Sequence, residues 1–586
     1  VTLSDDGEND LHGPFHWHKV ANPAEALYPD GFSGEPELIG SRHSVPGTGA
    51  RLLVVLDESP KALALFGNSD LNPLPGDSAF TLDAKNRALF PGDSGILMKT
   101  VPASGAFSGS FLDFSGTKVK RRSFGGVFLR RHDRAVGWYP GADESGAISL
   151  IPGDAGRLSM DTPATVEGTV SNALSFTPTV MNGPAVEWGI SGDLPPGVTW
   201  SGVTHTLSGT PLAWGTWWIT VWAEDATGNR SARRVHLSVD SLFAKTAGAY
   251  RGLATETTVA HASTALTQVT VTQAGAFSGV LTLGGKRYGF RGKFDPLTGD
   301  GGEVTIIRRG NTPLSLQLVM DQPGVGSTIS GTLRADASLL TPAVDAAVLM
   351  KRLPWTRTNP TPTAGRYTVL LPRVLGSGLP QGHGYATMVV NSLGIVSMSG
   401  RSGDGALFTA GSGVSGDGDF PLVALVKRGA GSLSGWVMFE DLAGSDADGP
   451  LHWEDGGVVD GSVNFVASRF VRPPSGTRII DGFGEDPGNG LMSIDDGFFD
   501  VEPDDWAFTL LSSNRVISAD GSKKFGMAIN VKTGAYSGFF PAVIGGKTVT
   551  IRHVGVAFQK LSASLGQFSL PDGTRGGIEW GADVPP

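Results

Sequence analysis

Three acidic stretches carry the residue types that a hard cation needs. Asp5-Asp6-Gly7-Glu8-Asn9-Asp10, Asp446-Ala447-Asp448-Gly449, and Asp495-Asp496-Gly497 with Asp500 and Glu502 each set several carboxylates on a glycine-bent loop, the oxygen-rich donor set that Ca²⁺ takes. Asp5, Asp6, Asp10, Asp446, Asp448, Asp495 and Asp496 are therefore the candidate metal ligands, and calcium is the candidate ion. None of the three completes the D-x-[DN]-x-[DN]-G-x₅-E loop, and Asp and Gly are equally the residues of ordinary tight turns. Gly92-Asp93-Ser94-Gly95 spells a serine-nucleophile loop, with His43 and Asp57 or Asp70 before it in the right order for a Ser-His-Asp triad. Only 51 residues separate His43 from Ser94, and Ile96 and Leu97 stand where a second Gly and a Pro should follow. A polar turn is the expectation, and no catalytic residue is assigned. His16 and His18 fall on one face of a strand, as metal ligands do, but in the internal copy His452 is followed by Glu454 and no third ligand stands near.

The run Trp217-Trp218-Ile219-Thr220-Val221-Trp222 is of another kind. Strand alternation puts Trp217, Ile219 and Val221 on one face and Trp218, Thr220 and Trp222 on the other. If the first face is core, Trp218 and Trp222 are an apolar patch on the second, and such patches mark contact surfaces. The candidates for what covers them are a neighbouring module, another chain and a stacked sugar. Lys118 to Arg122 and Arg130 to Arg134 are the basic clusters, and in a chain of net charge −10 they read as solvated strand faces rather than a nucleic-acid site.

The elements that would position these residues are strands. Of 586 residues, 84 are Gly, 37 are Pro and none is Cys. The lack of cysteine excludes disulfides, thiolate metal sites and cysteine nucleophiles. No apolar run is long enough for a membrane-spanning helix. Short stretches of alternating polarity, such as Gln268 to Val271 and Ser278 to Leu283, are punctuated by Gly, Asp, Asn and Pro, which is an all-β pattern. Asp57 to Phe66 and Asn22 to Leu27 are the best helical candidates. Val1 is preceded by neither Met nor a signal segment, which predicts a processed product or an excised fragment.

Internal repeats set the modules. Gly105-Ala106-Phe107-Ser108-Gly109, Gly275-Ala276-Phe277-Ser278-Gly279 and Gly534-Ala535-Tyr536-Ser537-Gly538 are one motif, each followed by an apolar strand, a turn and a basic strand. Gly13-Pro14-Phe15-His16-Trp17 recurs as Gly449-Pro450-Leu451-His452-Trp453. These repeats predict related β modules at 1–153 and 449–586, a second kind at 243–355 and 360–448, and a different module at 160–241. The array reads as cut from a longer one.

Within 160–241 lie Leu194-Pro195-Pro196-Gly197, Leu207-Ser208-Gly209-Thr210-Pro211, Gly215-Thr216-Trp217 and Asp225-Ala226-Thr227-Gly228. That ordered set resembles the immunoglobulin-like (cadherin- and dystroglycan-like) modules of bacterial surface proteins. This chain has Trp217, Trp218 and Trp222 where the family has Tyr and small polar residues. The flanking units resemble repeat modules of large secreted proteins of verrucomicrobial and planctomycete type. The resemblance implies an extracellular or cell-surface address in a bacterium. The expectation is thus an all-β chain of tandem β-barrel or β-sandwich modules with one immunoglobulin-like sandwich. Its function would be structural or adhesive and non-catalytic, as a fibre, stalk or scaffold that self-associates or joins neighbouring surface proteins. The alternative is a carbohydrate-binding surface protein, with polysaccharide as partner. Neither nucleic acid nor membrane insertion is expected.

Overall fold

A computed structural model describes residues 2–582 except 4–8, 54–61, 68, 92–93, 117, 154–156, 322–325, 339–340, 375–378, 456–458, 496–498, 501–504 and 520–524. Asp5, Asp6 and Asp496 thus lie outside the described residues, as do Gly92, Asp93, Asp57 and Glu502. The chain divides into two compact units, residues 1–242 and 243–586.

The described residues are all-β. Three single turns of 3₁₀ helix, Arg130–His132, Lys427–Gly429 and Gln559–Leu561, are the helical elements among them. Asn22 to Leu27 is a string of turns and bends rather than a helix, and the described part of the other helical candidate, from Ala62 on, is the strand Ala62–Gly67. Ala62, Ala64 and Phe66 alternate into the core, so a period of two overrides the short apolar run.

Four eight-stranded antiparallel sheets dominate. Each is a meander in which the first strand pairs with the last, the topology of an up-and-down barrel. They span Ala62 to Pro152, Gly248 to Leu353, Gly365 to Arg469 and Gly490 to Ala582, and are here the first to fourth barrels. Strand order is 3-2-1-8-7-6-5-4 in the first and fourth, and 4-3-2-1-8-7-6-5 in the second and third. The seam thus separates two kinds of barrel. Eight strands enclose a space that side chains can fill. Phe66, Phe80, Phe111 and Tyr139 fill the first, Tyr250, Leu281, Leu316 and Met350 the second, Met388, Phe420 and Phe465 the third, and Phe508, Phe540, Phe568 and Trp580 the fourth.

The boundary expected at 448/449 falls inside a sheet. Ala447–Asp455 and Val459–Arg469 are the seventh and eighth strands of the third barrel, the latter pairing with its first strand, Gly365–Leu371. Gly449-Pro450-Leu451-His452-Trp453 therefore closes one barrel rather than opening the next. The repeated sequence is a hairpin, and hairpins recur within barrels as well as between them. The Gly-Ala-Phe/Tyr-Ser-Gly motif shows this: it opens the fifth strand of the first and fourth barrels but the third strand of the second. Its leading glycine lies at positive φ in all three copies, +70°, +77° and +79°, where an L residue is strained. Its closing glycine lies under a ring of the next strand: a Cβ at Gly109, Gly279 or Gly538 would strike Phe124, Phe290 or His553.

Residues 157–241 are a two-sheet sandwich. Glu187–Ser191, Gly215–Glu224, Arg230–Asp240 and Thr165–Thr169 form one sheet, and Leu174–Phe176, Thr206–Gly209 and Val198–Ser201 the other. Ile219, Val221, Val235, Leu237 and Leu207 are fully buried between them. Ser159–Met160 pairs antiparallel with Val180–Met181, and the first strand of the four-stranded sheet pairs with its last in parallel, Thr165 opposite His236 and Thr169 opposite Asp240. In each barrel the corresponding pair is antiparallel.

Candidate functional site: the joins between modules

Several ion pairs and side-chain hydrogen bonds lie where one module meets the next within a unit. In residues 1–242, a hairpin of Leu11–Pro14 with Glu37–Gly40 precedes the first barrel. Asp10 holds the two together. Its carboxylate accepts the Arg42 backbone N–H at 2.6 Å and the Arg131 guanidinium at 2.9 and 3.1 Å. The Arg131 N–H donates to Ser41 Oγ at 3.0 Å, and His132 Nε2 lies 2.9 Å from Asn9 Oδ1.

The join between the third and fourth barrels uses the same arrangement. The Asp446 carboxylate accepts the Arg469 N–H at 2.7 Å and the Lys560 ammonium at 2.9 Å, and the Lys560 N–H donates to Ser468 Oγ at 3.1 Å. Hydrogen bonds from Lys560 to Asp441 and Asp446 hold the ammonium pKa above its usual range. A second polar group crosses the same join. Arg373 pairs with Asp495, His383 Nε2 lies 3.3 Å from Glu579, and the Gln567 amide donates to the carbonyls of His383 and Ser402. The hydrogen bond from His383 holds the Glu579 carboxyl below its ordinary range.

Between the second and third barrels, Lys351 bridges Asp419 at 2.6 Å and Asp417 at 2.9 Å. Burial alone would lower its pKa, but hydrogen bonds to the two carboxylates hold it above the usual value. Trp355 Nε1–H donates to the Val414 carbonyl at 2.8 Å. His261 adds its N–H to Glu454 at 2.6 Å and its ring to Ser432 and the Gly429 carbonyl.

The described carboxylates among those singled out by sequence therefore have partners. Asp10 and Asp446 hold joins, Asp495 accepts from Arg373 and the Gly577 N–H, and Asp448 accepts from Ser445. Among the described residues no three His, Asp or Glu side chains converge as a metal site would require.

Trp218 lies at the join of the first barrel and the sandwich. Its ring centroid is 4.4 Å from Phe114 and 4.5 Å from His236, and the Arg234 guanidinium stands over both Phe114 and Trp218. Thr220, on the same face, is fully buried and donates to the Leu74 carbonyl. Trp222 is covered instead by Arg230, 4.4 Å over its ring, a contact favourable for a cation on an indole face. Asp77 ties the same two modules through the Phe66 and Ala232 N–H groups, at 2.9 and 2.7 Å. Sequence reasoning missed Asp77, Lys351 and Lys560, whose partners lie far along the chain and leave no local pattern.

His43 Nε2 faces the Pro102 carbonyl at 2.8 Å, and the Ser94 N–H donates to the Pro91 carbonyl. A cleft of about 730 Å³ opens between the second and third barrels, with Lys286, Tyr385, Arg401 and Arg428 on its walls. Among the described residues no Asp, Glu, His or Cys lines it, so these residues do not supply the facing carboxylates of a glycoside hydrolase.

Among solved structures, the chain is similar to SGBP-B of the Bacteroides ovatus mixed-linkage glucan utilization locus, in complex with a mixed-linkage heptasaccharide. That match has 15% identity, covers 37% of this chain and 82% of that one, and has a TM-score of 0.12. Transferrin binding protein B of Neisseria meningitidis matches at 10% identity over 89% and 99% of the two chains, with a TM-score of 0.16. Transferrin binding protein B of Haemophilus parasuis matches at 11% over 93% and 98%, with a TM-score of 0.13. At such scores these likenesses carry no argument about this chain. No curated protein matches the sequence. The family model He_PIG, described as Putative Ig domain, matches residues 157–240, and the sandwich that those residues form is an immunoglobulin-like module.

Proposed function

We propose that this chain is a non-catalytic structural repeat protein of a bacterial cell surface, part of a stalk or scaffold whose modules hold partners at a distance and carry tension. One observation carries this reading. Barrel interiors are filled largely with apolar side chains, and three of the carboxylates that sequence marks for chemistry, Asp10, Asp446 and Asp495, are spent on joins between modules. An enzyme or receptor needs polar groups free to meet a ligand in a concave site. The immunoglobulin-like module supports an extracellular address. The faces of Trp218 and Trp222 are taken by Phe114, Arg234 and Arg230, so these two residues offer a sugar no open platform.

Calorimetry of the full chain tests the scaffold reading. If the joins couple modules, the third and fourth barrels unfold in one merged transition, and Asp446→Ala with Lys560→Ala splits it. Separate transitions already present in the native chain would count against the reading.

A further inference from the structure

The hairpin before the first barrel matches the closing hairpin of the third barrel residue for residue. Gly13 is opposite Leu38, Pro14 opposite Glu37 and Trp17 opposite Gly34. In the third barrel Gly449 is opposite Phe465, Pro450 opposite Asn464 and Trp453 opposite Gly461. The match extends to the next strand, where Thr2 is opposite His12 as Met438 is opposite Asp448. The contacts to the following barrel also match: Asp10, Ser41, Arg42 and Arg131 repeat the roles of Asp446, Ser468, Arg469 and Lys560.

One property differs. Leu451, Trp453 and Phe465 are 1%, 3% and 0% exposed, packed against the first six strands of the third barrel. Their counterparts Phe15, Trp17 and Leu38 are 36%, 55% and 36% exposed. An apolar face that is core in one copy is open in the other, and such a face marks a contact surface.

We propose that the Phe15, Trp17 and Leu38 face is the closing face of a further barrel, and that it docks an antiparallel meander of the class formed by the first five strands of the third barrel and the start of its sixth, Thr2–Leu3 standing where that sixth strand ends. The occupant presents an alternating apolar face and two free sheet edges, one for Glu37–Gly40 and one for the side of the hairpin from Pro14 to Lys19, beyond the stretch that Thr2–Leu3 already pairs. An intact second copy is a poor fit, because the meanders of its barrels are already closed by their own strands. The inference deepens the scaffold reading and rests on it, but its test is separate: the hairpin can fail to dock a meander while the joins still couple modules.

The test is a transplant in the full chain. Residues 10–42 replace 446–469, and hydrogen exchange is read peptide by peptide. The inference predicts that Gly365–Leu371 and Gly431–Met438, which flank the graft, keep protection within about tenfold of the parent. It also predicts that the grafted strands gain at least about a hundredfold over the same residues in their own position. A Trp17→Asp change in the graft abolishes both effects. Loss of protection in the flanking strands, or equal protection with Trp17→Asp, would overturn the inference. If the graft prevents folding altogether, the double variant Leu451→Phe, Phe465→Leu writes the same face into the third barrel, and loss of that barrel's protection overturns the inference. In the unaltered chain, exchange at Leu11–Pro14 and Glu37–Gly40 should not depend on protein concentration. Concentration-dependent protection there would mean that a second copy covers the face, contrary to the proposal.

Discussion

His553 shows how a repeat position can be filled by the wrong chemistry and still pack. It takes the place of Phe124 and Phe290 beside the closing glycine of the motif, is fully buried, and has the rings of Tyr536, Phe540 and Phe525 around it. Burial pushes its pKa down, to about 4, against the raising effect of the Gly526 backbone. The folded state thus favours neutral imidazole. Its contribution is fully present above the unfolded pKa of about 6.5 and is lost as pH falls from there to about 4. At ~1.4 kcal/mol per pKa unit, the amount at stake is about 3 kcal/mol. His553→Phe should flatten the fall in the fourth barrel's urea midpoint over that window, read by exchange pulses at one fixed pH. The glycines give a second prediction at this scale. Gly279→Ala drives a methyl into the Phe290 ring and the Gln268 carbonyl, and overpacking of this kind costs about 1–3 kcal/mol. Exchange in the second barrel should accelerate accordingly.

At the scale of elements, the strands were legible and their assignment to modules was not. The alternation that puts Ile219 and Val221 in the core is visible in the sequence because one face of that strand is apolar throughout. The third barrel's closing hairpin was not, because Gly449 to Trp453 repeats Gly13 to Trp17 and both copies precede a barrel. Only pairing with Gly365–Leu371, about a hundred residues back, reveals which sheet it closes. The joins were hidden for a related reason. Asp446 lies in an acidic loop that sequence alone reads equally as a turn or a calcium site, and its partner Lys560 is 114 residues away. Asp446→Ala should leave the Arg469 N–H without its acceptor, at a cost of about 1–2 kcal/mol. Because Asp10, Asp446, Asp448 and Asp495 already have donors, removing calcium with a chelator should leave the urea midpoints of all modules unchanged. A shift at the third or fourth barrel would show that an ion competes for these carboxylates.

For the molecule as a whole, the pairing of first and last strands decides how each module meets a pull on the chain. In every barrel the two strands are antiparallel and their outer ends are neighbours: Ala62 faces Pro152, Ala249 faces Leu353, Tyr367 faces Arg469 and Gly490 faces Ala582. Tension then opens one hydrogen bond at a time, slowed by clasps such as Arg352 and Arg469 on the carbonyls of Ala247 and Ala364. In the immunoglobulin-like module Thr165–Thr169 runs parallel to Arg230–Asp240, so a pull shears the whole ladder together and must break its bonds at once. The most direct measurement is single-molecule pulling of the full chain between its ends. A tension-bearing repeat scaffold predicts discrete events that each release about 300 Å or more of chain, with four barrels opening at low force and the immunoglobulin-like module last, at a distinctly higher one. Extension without discrete events, or yielding of the immunoglobulin-like module before the barrels, would contradict it.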